Sequence, residues 1–143
     1  MRIKISDKIR KTKISDPKKI AKILTEVLKS EEKDDRMKEH FWAVYLNARN
    51  AITRIELIGL GVLNAGLIHP RETFRPAITA SSASLIILHN HPSGEIEPSE
   101  DDLKTTKRIA EAGKILGIEL FDHIIINLKN DYFSFKEKGL ITD

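Results

Sequence analysis

Ile20, Ile23, Leu24, Val27 and Leu28 recur at three- and four-residue intervals, the spacing of one apolar face on a helix. They predict a helix over residues 16–30, with Ser15 or Asp16 as the cap and Pro17 in the first turn. The stripe reads as core rather than as a groove for a partner. After a charged connector, residues 30–38, the pattern changes to aromatic and β-branched. Phe41–Leu46 and Ile52–Ile58 read as a hairpin joined by Asn47-Ala48-Arg49-Asn50. Arg54 and Glu56 alternate with Ile55 and Leu57, so one face of the second strand is expected to be wet. Gly59, Gly61 and Gly66 break the next stretch, a strand extension or bent loop carrying Val62 and Leu63. Pro70 marks a helix start, with the helix running from Arg71 to Thr79. Ser84–Leu88 is a short apolar run, as in a strand buried on both faces. Residues 99–116 form the best-defined predicted helix, with Leu103, Ile109, Ala110, Gly113 and Leu116 on one face and Gly117 as its stop. Gly113 within it suggests close helix–sheet packing. Residues 119–127 hold a buried strand around Ile124-Ile125-Ile126, followed by a turn, a last strand over residues 132–135 and a helical turn over residues 136–140.

Helices interleaved with strands give an α/β layered domain with a mixed sheet. At 143 residues, one such domain buries about two-thirds of its unfolded surface, so no staple is required. There is no cysteine, which removes thiolate ligands, cysteine nucleophiles and disulfides, and with them the zinc deaminases. No run approaches the roughly 18 apolar residues of a membrane span, and the first residues lack a signal core. A soluble, cytoplasmic chain is the expectation. The net charge is +3, but residues 1–19 carry eight Lys or Arg against Asp7 and Asp16, a local +6, so the remainder sums to −3. Residues 1–15 therefore read as a basic arm, either flexible or added as an edge strand, outside the core that residues 16–143 build. Such an arm suits phosphate contacts with nucleic acid, although it has no aromatic side chains to stack on bases.

The chemistry gathers where residues 84–88 end. His89 and His91, two apart, point the same way from a strand edge. The loop that follows holds Gly94 between Pro92 and Pro98, and Ser99 opens the next helix with Asp102 in its first turn. At its blandest, Asp102 closes a capping box with Ser99 and the histidines lie at a strand end. Two imidazoles and a carboxylate are also three ligands that suit Zn²⁺, with a fourth position left for water, the pattern of a catalytic rather than a structural zinc.

His89-x-His91-Pro92, six residues, Ser99, two residues and Asp102 reproduce the JAMM motif of the MPN+/JAB metalloproteases, H-x-H-P-x6-S-x2-D. Lys38-Glu39-His40-Phe41-Trp42, His69-Pro70-Arg71-Glu72, His89-Asn90-His91-Pro92-Ser93-Gly94 and Leu120-Phe121-Asp122-His123 resemble the RadC branch of that family, over residues 36–141. The resemblance implies a three-layer α/β/α fold shared with cytidine deaminases. It implies Zn²⁺ on His89, His91 and Asp102, with Glu39 as general base and Ser99 as an oxyanion donor in peptide or isopeptide hydrolysis. Glu56 is the competitor for the base, although its alternation with apolar residues favours a solvated position. Asp122 and His123 read more readily as a polar strand end than as support for the ligands. His69-Pro70-Arg71-Glu72 would line a substrate groove by resemblance alone. Full-length RadC proteins carry a helix-hairpin-helix region that residues 1–35 are too short to contain. A DNA-associated module with a non-catalytic zinc is the alternative, and phosphodiester hydrolysis is disfavoured by the single motif carboxylate. The resemblance leaves the substrate and the protein partner open.

Overall fold

The computed structural model describes residues 1–10, 12–14, 16–61 and 68–141. Ser15, Val62, Leu63 and Gly66, all named above, lie outside the described residues.

Among the described residues, six strands form one mixed sheet in the order β1-β3-β2-β4-β5-β6. The strands are β1 Arg2–Ile3, β2 Glu39–Leu46, β3 Ile52–Gly61, β4 Ser84–Asn90, β5 Glu119–Ile126 and β6 Tyr132–Ser134. The helices are α1 Asp7–Arg10, α2 Pro17–Lys29, α3 Lys33–Arg36, α4 Pro70–Thr79 and α5 Glu100–Leu116. Among the described strands only β4 and β5 run parallel, joined across α5, as a crossover helix allows.

Alternation along the central strands separates two cores. Trp42, Val44, Leu46, Ile86, Leu88, Ile124 and Ile126 face α2, whose Ile20, Leu24 and Leu28 are fully buried. Phe41, Ala43, Tyr45, Leu85 and Ile87 face the other way, against Phe74 and Ala77 of α4 and Ile109 of α5. The result is the expected three-layer α/β/α arrangement. The predicted stripe on α2 is core, with Asp16 capping Lys19 N–H at 3.0 Å and Pro17 in the first turn. Among the described residues, no helix is long and apolar enough to cross a membrane.

Four expectations change. The basic arm is not outside the core: β1 pairs with β3 at Glu56 and Ile55, and Ile3, Ile5 and Ile9 pack against the α2-side cluster. Its loose Ile–Lys alternation suffices because only one side of a short edge strand needs to be apolar. Glu56 is buried rather than wet, since β1 covers its edge and Arg54 pairs with its carboxylate. On α5, Leu103 and Leu116 are exposed, and the buried face is Thr105, Thr106, Ile109 and Gly113, because two hydroxyls take positions that an apolar stripe would have filled. Gly113 is pressed against the Ile118 carbonyl leading into β5, not against the sheet face; Gly117 at φ +72 makes that tight exit. Residues 135–139 are hydrogen-bonded turns, with Lys138 N–H donating to the Ser134 carbonyl at 3.2 Å, in keeping with the helical turn expected there.

Candidate metal centre

Three strands and one helix converge at the C-terminal edge of β4. Leu88 and Asn90 face α2, so His89 between them projects to the α4–α5 side. His91 leaves the sheet one residue later, its N–H donating to the Ile126 carbonyl at 3.1 Å. The loop beyond it is pinned: Gly94, at φ +93, accepts through its carbonyl from the Asn127 side chain at 2.7 Å, and Gly94 N–H donates to the His91 carbonyl at 3.0 Å. Glycine is favoured at that positive φ. Ser99 then caps α5 in a full capping box, with Asp102 N–H donating to its Oγ at 3.0 Å and Ser99 N–H donating to Asp102 Oδ2 at 2.8 Å. A box of this kind stabilises a helix start by about 1 kcal/mol.

The same carboxylate also reaches the histidines. His89 Nε2 lies 3.1 Å from Asp102 Oδ1, His91 Nε2 lies 3.2 Å from Asp102 Oδ2, and the two Nε2 atoms are 2.9 Å apart. Asp102 thus caps and converges at once, so the bland and the metal readings of that residue coexist. A tetrahedral ion about 2.0–2.1 Å from each donor needs donors about 3.3 Å apart, close to these separations. His91 Nδ1 lies 2.9 Å from the Glu95 carbonyl, which can only accept, so Nδ1 carries the proton and Nε2 keeps a lone pair turned to the cluster. His89, His91 and Asp102 therefore fit a divalent metal by atom type, spacing and tautomer. Burial alone would raise the Asp102 carboxyl, but in the metal-free state, where the Nε2 atoms can carry hydrogen toward it in place of the ion, hydrogen bonds from His89, His91 and the Ser99 N–H hold it well below the usual carboxylate range. The Asp102 carboxylate pushes His91 up, against its partial burial.

Around these donors is a cavity of about 390 Å³, whose wall includes Glu39, Ser99, Phe41, Ile68 and His123. Glu39, the first residue of β2, shares a strand face with Phe41, which is paired to His89. Two details of its placement were not legible in the motif. Asn90 Oδ1 accepts from His40 N–H at 2.6 Å and Asn90 Nδ2 donates to the Lys38 carbonyl at 3.0 Å, so one carboxamide grips the backbone on both sides of Glu39. His40 itself points away, stacked on Trp42 at 5.0 Å with its Nε2 2.9 Å from Glu31. Glu56, the competitor, is not on the cavity wall.

His123 belongs to the site. Its Nε2 lies 2.8 Å from His89 Nδ1 and its Nδ1 2.5 Å from Thr106 Oγ1, while its ring stacks on Phe135 at 4.4 Å. Burial pushes its pKa well below the ordinary histidine value. The strand-end reading fails for this residue because β5 alternates, which turns His123 inward and Asp122 to the other face. A signal for Thr106 was present in the sequence: it lies four residues after Asp102, on the same helix face. His69 and Glu72 are exposed and only begin α4, whereas the preceding Ile68, whose carbonyl accepts from Arg108, lines the cavity.

The sequence model of the RadC-like JAB domain matches residues 14–140. A UPF0758 protein of Shouchella clausii is 44% identical over 138 residues, 96% of this chain and 57% of that protein. One from Alkaliphilus metalliredigens is 42% identical over 140 residues, 98% and 58% respectively, and one from Rubrobacter xylanophilus is 50% identical over 104 residues, 73% and 45%. The chain spans about half the length of these curated relatives. With its JAMM residues converging as they do and the match covering most of its length, the chain belongs to the RadC-like JAB domain family.

Proposed function

We propose that this domain is a zinc-dependent hydrolase of peptide or isopeptide bonds. The observation that carries the reading is the sharing of one cavity by a three-donor cluster, an acidic side chain and a helix-capping hydroxyl. Zn²⁺ held by His89, His91 and Asp102 would polarise water and the scissile carbonyl. Glu39, on the wall of the same cavity, would take the proton of the attacking water and return it to the leaving nitrogen, two transfers that one carboxylate can perform in turn. Ser99 Oγ already accepts from Asp102 N–H, so its own proton remains to be donated to the developing oxyanion. Asp102 and the Ser99 backbone hold that hydroxyl at the start of α5, within a rigid helical turn rather than a loop.

Metal analysis tests the first element. Protein purified without chelator should contain one zinc per chain, and Asp102→Ala should lose most of it. Full retention in that variant would reduce Asp102 to a cap. Proteins or peptides trapped by Glu39→Gln, but not by a His89→Ala/His91→Ala variant, would then identify the substrate class.

A further inference from the structure

The hydrogen bonds behind His89 have a direction that can be worked out atom by atom. Thr106 Oγ1 donates to the main-chain carbonyl of Asp102 at 2.8 Å, one turn earlier on α5. A hydroxyl has a single proton, so toward His123 Nδ1, 2.5 Å away, the same oxygen is an acceptor and Nδ1 must carry the hydrogen. His123 is completely buried, with Phe135 stacked on its ring, and among the described residues no carboxylate contacts either of its nitrogens, so the imidazole is held neutral and fixed in orientation. Its Nε2 is then a lone pair, and it faces His89 Nδ1 at 2.8 Å. His89 Nδ1 therefore donates, which leaves the lone pair of His89 on Nε2, turned toward His91 and Asp102.

We propose that the chain Asp102 carbonyl, Thr106 hydroxyl, His123 imidazole sets the tautomer in which His89 meets the metal, making Thr106 and His123 positioning residues of this site. The inference rests on the metal-centre reading above and extends it to two residues outside the motif. If the relay ran the other way, His89 would carry a hydrogen on Nε2, aimed at the His91 nitrogen 2.9 Å away, in the space an ion needs. Because the relay starts on the backbone of Asp102, a single turn of α5 supplies one ligand and orients another. A metal-ligating histidine ordinarily donates to a carboxylate, a carbonyl or water. Here the acceptor is a neutral imidazole, which places no negative charge behind the ligand.

Long-range nitrogen–proton NMR on the full chain, with and without zinc, reads the tautomer directly. The expected result is hydrogen on Nδ1 and none on Nε2 of His123 in both states, and on Nδ1 of His89 once zinc is bound. Hydrogen on His123 Nε2 would overturn the proposal. Zinc affinity, measured by competition with a chelator, should fall about 10- to 100-fold in Thr106→Val and stay near wild type in Thr106→Ser. His123→Gln, which retains an acceptor oxygen, should lose less than His123→Phe. Unchanged affinity in Thr106→Val, or equal losses in both His123 variants, would also overturn it. If Thr106→Val does not fold, the His123 pair and the wild-type spectra still decide. A wild type that binds no zinc would defeat the functional reading, while the ring protons of the metal-free chain would still report on the relay.

Discussion

The two faces of the sheet use adjacent residues for different work. At the edge that carries the three-donor cluster, each of three strands has a polar pair: Glu39 and His40 on β2, His89 and Asn90 on β4, Asp122 and His123 on β5. One member of each pair reaches the cavity or the metal cluster. The other turns to the α2 side and holds the frame. His40 fixes the entry to β2 through Glu31 and the Lys38 carbonyl, and Asn90 grips β2 from β4. Asp122 ties β5 to the exit of β6 by accepting from Ser134 Oγ at 2.6 Å and from Lys136 N–H at 2.9 Å, besides His123 N–H at 2.7 Å. Strand alternation thus lets a site be built on one face while buried hydrogen bonds on the other keep its backbone in place. If this division holds, substitutions on the cavity side should alter turnover or metal affinity with little loss of stability, and those on the α2 side should do the reverse.

The largest effect is expected on the cavity side. Glu39→Gln keeps the shape and removes the base, so hydrolysis of any cleaved substrate should fall about 10²–10⁴-fold with zinc content and melting temperature unchanged. Near-normal turnover would move the base elsewhere, and a loss of zinc would make Glu39 a ligand. The sharpest contrast to it is Asp122→Ala. That change strands two buried donors, Ser134 Oγ and the His123 N–H, at about 1–3 kcal/mol each if neither finds water, besides the partly buried Lys136 N–H, so the melting temperature should drop by several degrees while the folded fraction still binds zinc at full stoichiometry. Asn90→Ala lies between the two, because it acts on both faces. It leaves the His40 N–H without its acceptor, and it releases the backbone that aims Glu39. A modest loss of stability should accompany a fall in turnover of up to about 10²-fold, with zinc retained. Wild-type turnover in that variant would show that the β2–β4 ladder alone places the carboxylate.

The ligands were legible in the sequence because His89, His91, Ser99 and Asp102 are close in the chain and their spacing follows from a strand, a loop and one helical turn. The layers were legible for the same reason: the apolar periods of α2 and of the strands are local properties. What failed was long-range. Glu56 looked solvated because nothing in its own strand announces that β1, more than fifty residues earlier, will cover it. The arm looked detached because Ile3, Ile5 and Ile9 form no period by themselves and acquire meaning only against the α2-side core. His123 was under-read because its partner, His89, lies 34 residues away, and only the parallel pairing of β4 with β5 brings the two rings together. Leu103 and Leu116 were over-read for the opposite reason. A helix face defined by leucines alone overlooks Thr105 and Thr106, which this helix turns inward to serve the site.

The smallest effect separates the faces by pH. In metal-free protein, the Asp102 carboxylate raises the His91 pKa above its ordinary 6.5, so the protonated ring is favoured in the folded state. A group raised in this way contributes stability that is fully present below its unfolded pKa and is lost as pH rises through the folded value. The melting temperature of chelator-treated protein should therefore decline as pH is raised from about 6.5 through the mildly alkaline range. Zinc should remove that decline, since binding requires the unprotonated nitrogen and the proton has already left. The same proton must be displaced on loading, so zinc affinity should rise over the same interval. On the other face, burial raises Asp122 from 3.8 and its three donors oppose the shift, and its carboxylate bonds to none of the rings of the cluster. Asp122→Asn should leave the neutral-range slope as it was, whereas His91→Gln should flatten it. A slope that survived His91→Gln would assign the titration to another group and remove the link between this pair and the metal.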